Sequence, residues 1–243
     1  MTTTVELFFD PVCPFCWVTS RWLRRVEHLT DIEVTWRFIS LAVLNEAPGA
    51  YDDRPALYPE VHGLGRDLLR VAAATRAAAG DDTVRAGDDV DRLYLALGDA
   101  LWETASDGPI EEFDDVLEAV AERGRDLDLA AVLAAADLPT ELAAARDDAS
   151  WDAVVRRETE EALARVGGDV GTPIITVGAP DGPSFFGPVI SDDPADDDAA
   201  VEAWEAFVTL AELPGFAEVK RSLRAFPATA LTEPLAGEAT RAS

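Results

Sequence analysis

Basic side chains are scarce in this chain of 243 residues, and so are cysteine and histidine. Lysine and arginine together number 20, and only one of them is a lysine, against 47 acidic residues, so the formal net charge is −27. A field of that sign repels nucleic-acid phosphates and anionic lipid surfaces. The chain also lacks an apolar run near the roughly 20 residues that a membrane-spanning helix needs. We therefore expect neither a nucleic-acid partner nor a membrane partner.

The N-terminal stretch MTTTVELFFD lacks the basic region and the long apolar region of a signal peptide. This predicts a cytoplasmic protein, in a compartment that keeps ordinary thiols reduced. Acidic residues are spread along the chain rather than gathered in one tail. We interpret their excess as halophilic adaptation to a high-salt cytoplasm, where charge repulsion is screened. An ordinary acidic bacterial protein is the alternative.

Both cysteines of the chain, Cys13 and Cys16, lie in one CxxC motif within the stretch FFDPVCPFCW. A disulfide of that spacing closes too small a loop to stabilise the fold much, and a structural disulfide is not expected in the cytoplasm. A zinc site needs four ligands, and the two histidines, His28 and His62, lack ligand-like spacing to the cysteines. We expect no metal site and assign neither histidine a role. Two cysteines buried simply as hydrophobic residues are the alternative.

The residues around the motif predict a strand, a helix and a second strand. VELFFD (5–10) is a short apolar run, and IEVTWRFI (32–39) alternates with period two. Cys13 is the predicted helix N-cap, with Pro14 at the first helical position. The helix dipole and the free N–H groups of the first turn favour a thiolate there, so Cys13 is the predicted nucleophile. Cys16, one turn further in, is predicted to resolve the mixed disulfide.

The rest of the chain predicts an α/β protein whose sheet is interrupted by helices. From about Pro55 to Val166 apolar residues recur at helical spacing, whereas TPIITVG (172–178) and PSFFGPVI (183–190) are typical of strands. A strand, a CxxC helix and a strand open a thioredoxin-type unit, so we predict a thioredoxin fold with a large all-helical insertion. The predicted parts are 1–54 and 169–226 for the thioredoxin domain, 55–168 for the insertion and 227–243 for a loosely ordered tail.

Several stretches resemble the DsbA-like thioredoxin-fold proteins and, among them, the mycothiol-dependent nitroreductase group. These stretches are FDPVCPFCWVTSRW, DIEVTWRFISLAVLNE, PALYPEVHGLGRDLLRVAAA, DVGTPIITVG and FFGPVIS. The resemblance implies that Cys13 and Cys16 are the catalytic pair and that Pro14 and Phe15 form the active-site loop. In the group Phe15 is usually a tryptophan, and Trp102 stands where the group tends to carry a histidine. Both departures count against nitro-compound reduction and leave the dithiol chemistry unaffected.

The same resemblance implies roles for residues outside the motif. Pro173 matches a cis-proline that lies against the cysteine pair, and Thr172 before it would present backbone groups to a thiol substrate. The implied residues of the substrate cleft are Asn45, Tyr58 and Trp17. For Asn45 the alternative is a helix-cap or turn residue, and for Tyr58 it is a core aromatic.

The implied function is a cytoplasmic thiol–disulfide oxidoreductase of the DsbA family. A low-molecular-weight thiol of the mycothiol or γ-glutamylcysteine type, or a thioredoxin-like protein, would reduce the pair. The substrate would be a disulfide or another electrophile, and no bound cofactor is expected because the chain has neither GxGxxG nor a P-loop. Two alternatives remain. One is a glutathione-transferase-like isomerase, whose relatives generally carry serine at the first cysteine, and the other is a redox-sensing or binding module without turnover.

Overall fold

The computed structural model describes residues 2–168, 170–221, 223–235 and 239–241. Its strands are β1 (Thr3–Phe9), β2 (Ile32–Phe38), β3 (Ile174–Val177), β4 (Ser184–Phe186), β5 (Leu223–Ala225) and β6 (Ala239–Arg241). Its α-helices are α1 (Pro14–Leu29), α2 (Leu41–Leu44), α3 (Tyr58–Ala78), α4 (Thr83–Trp102), α5 (Phe113–Asp126), α6 (Leu129–Ala135), α7 (Asp152–Val166) and α8 (Asp197–Ala211). Short 3₁₀ helices lie at Thr140–Asp147, Ala149–Trp151 and Glu233–Leu235. None of these helices is both long and apolar enough to cross a membrane.

A four-stranded mixed sheet, in the order β2-β1-β3-β4, forms the centre of the fold. β1 pairs in parallel with β2 and antiparallel with β3, and β3 pairs antiparallel with β4. A parallel pair requires a crossover connection, which α1 supplies between β1 and β2. The predicted class is confirmed: the chain is an α/β protein with a thioredoxin-type sheet. The strand predicted over 183–190 is shorter than expected, because Gly187 has a φ of 98° and Pro188 lacks an N–H.

Helices α3 to α7 follow β2 and the short helix α2, precede β3, and form the all-helical insertion. Their amphipathic spacing explains why they fold as helices, and α4 is an example, with Val90, Leu93, Leu97 and Leu101 buried on one face. Buried residues of the sheet, of α1 and of the inserted helices belong to one apolar cluster. The insertion therefore shares its core with the thioredoxin part, and its helix α4 contacts α1.

Ion pairs with little solvent exposure hold α7 against the sheet. The buried carboxylate of Glu158 accepts hydrogen bonds from Arg37 Nε at 3.2 Å, from the backbone N–H of Phe38 at 2.9 Å and from the Arg76 guanidinium. Arg37 also forms an ion pair with Glu6 of β1, at 2.6 Å. β2 is an edge strand, so its Phe38 N–H has no neighbouring strand to pair with on that side. The Glu158 carboxylate accepts this N–H and so covers a backbone donor that the edge would otherwise expose.

Part of the C-terminal segment packs on the core, which differs from the loose tail predicted for 227–243. Leu231 and Leu235 are buried within the main apolar cluster. The backbone of Leu223–Ala225 pairs antiparallel with Ala239–Arg241. Residues 236–238 and 242–243 of the predicted tail lie outside the described residues. The leucines of this segment are too few and too widely spaced to form a periodic pattern, so only the packed structure indicates that they are buried.

Candidate active site

The CxxC motif lies at the turn from β1 into α1, where the sequence predicts it. Cys13 is the N-cap of α1, with φ −91° and ψ 111°, and Pro14 lies in the first turn. The Sγ atom of Cys13 accepts a hydrogen bond from the backbone N–H of Cys16 at 3.4 Å. Both cysteines are free thiols. The first turn of α1 therefore directs a free N–H group at the sulfur of Cys13.

The two sulfurs have opposite pKa shifts. The pKa of Cys13 is lowered because the Cys16 thiol and, more weakly, the Thr172 hydroxyl donate hydrogen bonds to its thiolate, although burial opposes the effect. Burial raises the pKa of Cys16 well above its ordinary value, and the hydrogen bond and charge of Cys13 raise it further. The arrangement thus favours a thiolate at Cys13 and a protonated thiol at Cys16. This is the distribution that a nucleophile and a resolving cysteine require.

The loop before β3 lies beside the cysteine pair. The Thr172–Pro173 peptide bond is cis, and Thr172 is buried. The Thr172 side chain lowers the pKa of both cysteines through hydrogen bonds. The Pro173 carbonyl accepts a hydrogen bond from the N–H of Gly187 at 2.8 Å, which ties this loop to the end of β4. The fold therefore brings to the motif a loop that is distant in the chain.

A buried carboxylate lies beside the motif, and the sequence analysis missed it. Asp10 has no exposed surface, and its Oδ1 and Oδ2 atoms accept the backbone N–H groups of Val12 at 3.1 Å and Leu41 at 2.7 Å. Helix α3 approaches it closely, since a Cβ on Gly65 would lie 2.3 Å from Oδ1. Burial raises the pKa of Asp10 to about 7, and its charge raises the pKa of Cys13. A charged residue directly after a buried strand was the available signal.

The three residues predicted to line the substrate cleft have different environments. Tyr58 is partly buried at the start of α3; burial raises its pKa, and the charge of Cys13 adds to that shift. Asn45 is the C-cap of α2, and its Nδ2 donates to the Leu41 carbonyl at 2.8 Å, as the helix-cap alternative implies. Trp17 is 1% exposed and lies in the core, so it offers no surface to a substrate. The cleft assignment therefore has to be corrected for Trp17, because α4 covers its ring.

His62 has a partner that the sequence did not indicate. Its Nδ1 atom lies 3.0 Å from the hydroxyl of Tyr51, and its ring centroid lies 5.0 Å from that of Tyr58. Burial lowers the pKa of His62 to about 4, so the imidazole is neutral at neutral pH and can accept the Tyr51 proton. His28 is exposed, as expected. Within the described residues, His, Cys, Asp and Glu side chains form no group of three suited to a metal ion.

Comparison with known proteins identifies the family. Residues 12–221 match the family model described as "Mycothiol-dependent nitroreductase Rv2466c". That range contains both cysteines, the Thr172–Pro173 loop and the inserted helices. The chain belongs to this family. This match confirms the resemblance to the mycothiol-dependent nitroreductase group that the sequence motifs indicated.

One curated protein and two solved structures are similar to this family member along most of its length. The "Uncharacterized protein Rv2286c" of Mycobacterium tuberculosis (strain ATCC 25618 / H37Rv) is 31% identical over 220 residues, which cover 90% of this chain and 82% of the relative. The crystal structure of a putative protein-disulfide isomerase from Pseudomonas syringae has a TM-score of 0.45 and 14% identity, covering 85% of this chain and 93% of that one. The probable DsbA oxidoreductase SCO1869 from Streptomyces coelicolor has a TM-score of 0.45 and 18% identity, covering 93% and 97%.

Proposed function

We propose that this protein is a thiol–disulfide oxidoreductase that cycles Cys13 and Cys16 between the dithiol and disulfide forms. The observation that carries the proposal is the asymmetry of the pair at the start of α1. Cys13 is the N-cap and accepts the Cys16 N–H at 3.4 Å, whereas Cys16 has no exposed surface. An ionised sulfur at the N-terminal end of the helix and a protonated sulfur one turn further in can carry out the two steps of disulfide exchange in order.

In the first step the Cys13 thiolate attacks one sulfur of a disulfide RSSR′. A Cys13–SR bond forms as the RS–SR′ bond breaks, and R′S⁻ leaves and takes up a proton. In the second step Cys16 loses its proton and attacks Cys13 Sγ, so that RS⁻ leaves and a Cys13–Cys16 disulfide forms. Two electrons have then passed from the pair to the substrate. Two molecules of a small thiol, or one thioredoxin-like dithiol, return the pair to the dithiol form.

Asp10 is our candidate for the group that accepts the proton of Cys16. It is buried in the loop that leads into the motif, and its carbonyl accepts the backbone N–H of Cys13 at 3.0 Å. A pKa of about 7 allows it to take up and release a proton at neutral pH. When the disulfide is reduced again, Asp10 would return this proton to Cys16, so that the pair starts the next cycle with a protonated Cys16.

Membership of a family named for mycothiol-dependent nitroreduction supports a low-molecular-weight thiol as the reductant. Mycothiol is the first candidate and γ-glutamylcysteine the second, and either fits a cytoplasmic protein. Reduction of nitro compounds is a second candidate activity, favoured by the family name and disfavoured by the departures at Phe15 and Trp102. The presence of both cysteines argues against the isomerase alternative.

The test is the turnover of hydroxyethyl disulfide with mycothiol, γ-glutamylcysteine or glutathione as the reductant. We expect Cys13→Ser to abolish turnover, and Cys16→Ser to accumulate one mixed disulfide per chain, visible by intact mass spectrometry. Turnover that survives Cys13→Ser would refute the catalytic assignment. A wild-type protein that forms the Cys13–Cys16 disulfide reversibly but gives no turnover above uncatalysed exchange would support the redox-sensing module instead.

A further inference from the structure

The C-terminal end of helix α4 is hydrogen-bonded to the chain on both sides of the cysteine pair. Trp102 is 2% exposed, and its indole N–H donates to the carbonyl of Pro11 at 3.0 Å, in the loop that leads to the first cysteine. The next residue, Glu103, accepts through Oε1 the indole N–H of Trp17 at 2.7 Å. Trp17 directly follows the second cysteine. Two consecutive residues of the insertion thus hold the motif at its two ends.

Helix α4 can approach the motif this closely because Gly98 lies under the Trp17 ring. A Cβ at Gly98 would lie 2.1 Å from an atom of that ring, so any other residue would push the ring away. Arg21 of α1 also donates to Glu103 Oε1, which balances the charge of the carboxylate. The end of α4 is therefore held to α1 by a close helix approach, one indole N–H group and one ion pair, and to the loop before α1 by a second indole N–H group.

The C-terminal segment 228–231 completes this contact with its backbone. The N–H of Ala230 donates to Glu103 Oε2 at 3.3 Å, and the N–H of Leu231 donates to the Trp102 carbonyl at 3.0 Å. The Ala228 carbonyl accepts a hydrogen bond from the Arg21 guanidinium at 3.0 Å. The Leu231 side chain is fully buried. These contacts hold the segment on the same two residues that hold the motif.

We propose that Trp102 and Glu103, supported by the segment 228–231, are positioning residues that set the reactivity of Cys13. Among the described residues, their hydrogen bonds go to other groups than the two sulfurs. They fix the Pro11 carbonyl before the pair and the Trp17 ring after it, and so they fix the first turn of α1, whose N–H stabilises the Cys13 thiolate. The inference rests on the thiol chemistry proposed above and adds a reason why this chain carries a tryptophan at position 102.

The experiment compares Trp102→Phe with Trp22→Phe. Trp22 is a matched control because it is also buried and its indole N–H donates to a backbone carbonyl, that of Ala200, at 3.1 Å. The readouts are the pH midpoint of Cys13 alkylation by iodoacetamide in the reduced protein, and the equilibrium constant of the pair with glutathione. We expect Trp102→Phe to raise the midpoint by about 0.5 to 1 pH unit, which leaves about three- to ten-fold less thiolate below the midpoint.

A purely structural role would lower the melting temperature of both variants equally and leave both readouts unchanged. We expect Trp22→Phe to behave in that way. Unchanged readouts in a folded Trp102→Phe variant would overturn the inference. If that variant does not fold, Glu103→Met replaces it: the side chain is similar in size but cannot accept the Trp17 N–H, and an unchanged midpoint would again overturn the inference. An ordinary midpoint for Cys13 in the wild type would instead contradict the proposed function.

Discussion

At the residue scale, Asp10 links the stability of the fold to the chemistry of the motif. Burial raises its pKa from 3.8 to about 7, although the N–H groups of Leu41 and Val12 favour its charged form. Because the folded-state pKa lies above the unfolded-state pKa, the folded chain binds this proton more tightly. The stability that the protonated group contributes is complete below about pH 4 and is lost as the pH rises towards 7.

We expect Asp10→Asn to remove this pH dependence. The free energy of unfolding of the wild type, minus that of the variant, should fall by about 3 kcal/mol between pH 4 and pH 7, because each pKa unit corresponds to about 1.36 kcal/mol and half of the folded chains still hold this proton at pH 7. Urea unfolding at several pH values measures it. The Cys13 alkylation midpoint should fall as well, since the charge that raises the pKa of Cys13 is gone.

Glu46→Gln is the control for that prediction. Arg156 lowers the pKa of Glu46, an exposed carboxylate, so the stability from this pair is present above the unfolded-state pKa and is lost as the pH falls. The free energy of unfolding of the wild type, minus that of Glu46→Gln, should therefore rise slightly as the pH rises, whereas the same difference for Asp10→Asn falls. If the free energy of unfolding of Asp10→Asn followed the wild-type pH profile, the assignment of a raised pKa to Asp10 would be wrong.

At the element scale, helix α4 is one of the inserted helices that approach the active site, as α3 does at Gly65. It contains two glycines in very different surroundings. A Cβ at Gly98 would overlap the Trp17 ring, whereas a Cβ at Gly87 would meet nothing within 4 Å. Both lie inside the same helix, Thr83–Trp102, so they share the same backbone conformation. Substitutions at these two glycines therefore measure separately the effect of helix propensity and the effect of helix packing on stability.

We expect opposite effects from alanine at these two positions. Gly87→Ala should raise the free energy of unfolding by about 0.5 to 1 kcal/mol, because alanine loses less backbone entropy in a helix. Gly98→Ala should lower it by about 1 to 3 kcal/mol, because the core must move to admit the methyl group. Urea denaturation measures both. A stabilising Gly98→Ala would show that α4 does not approach Trp17 as closely as described.

At the scale of the whole molecule, the charge is the dominant feature. Acidic residues are spread over the entire chain and give it a net charge of −27. Most of their carboxylates lie outside the ion pairs that join α7 to the sheet. At low ionic strength these carboxylates repel one another. The repulsion destabilises the compact folded state more than the unfolded chain, in which the charges lie further apart. Salt at molar concentration shortens the Debye length from about 10 Å at 0.1 M to about 3 Å and screens this repulsion.

We expect the melting temperature to rise steeply between low and molar KCl. Sucrose at the same osmolality is the control, because it stabilises folded proteins by exclusion without screening charge. The gain in KCl should exceed the gain in sucrose, and calorimetry or fluorescence-detected unfolding measures both. Equal gains in KCl and sucrose would contradict the interpretation of the acidic surface as salt adaptation.

Local features of the sequence determined the structure of the motif. The N-cap position of Cys13, the helix opened by Pro14 and the period-two strand 32–39 follow from capping and periodicity, which act between near neighbours in the chain. The helical insertion was predictable for the same reason. The approach of the Thr172–Pro173 loop to the pair was implied by family resemblance, because spacing alone does not bring a distant loop to the motif.

The tertiary structure alone decided which side chains surround the cysteines. The burial of Asp10 depends on α3 approaching at Gly65, and the core position of Trp17 depends on α4 approaching at Gly98. The contacts of Trp102 and of the segment 228–231 likewise join parts of the chain that are far apart in sequence. Burial and hydrogen bonding of this kind arise only when whole helices pack together. A pattern that is read over one helix or one strand does not contain that information.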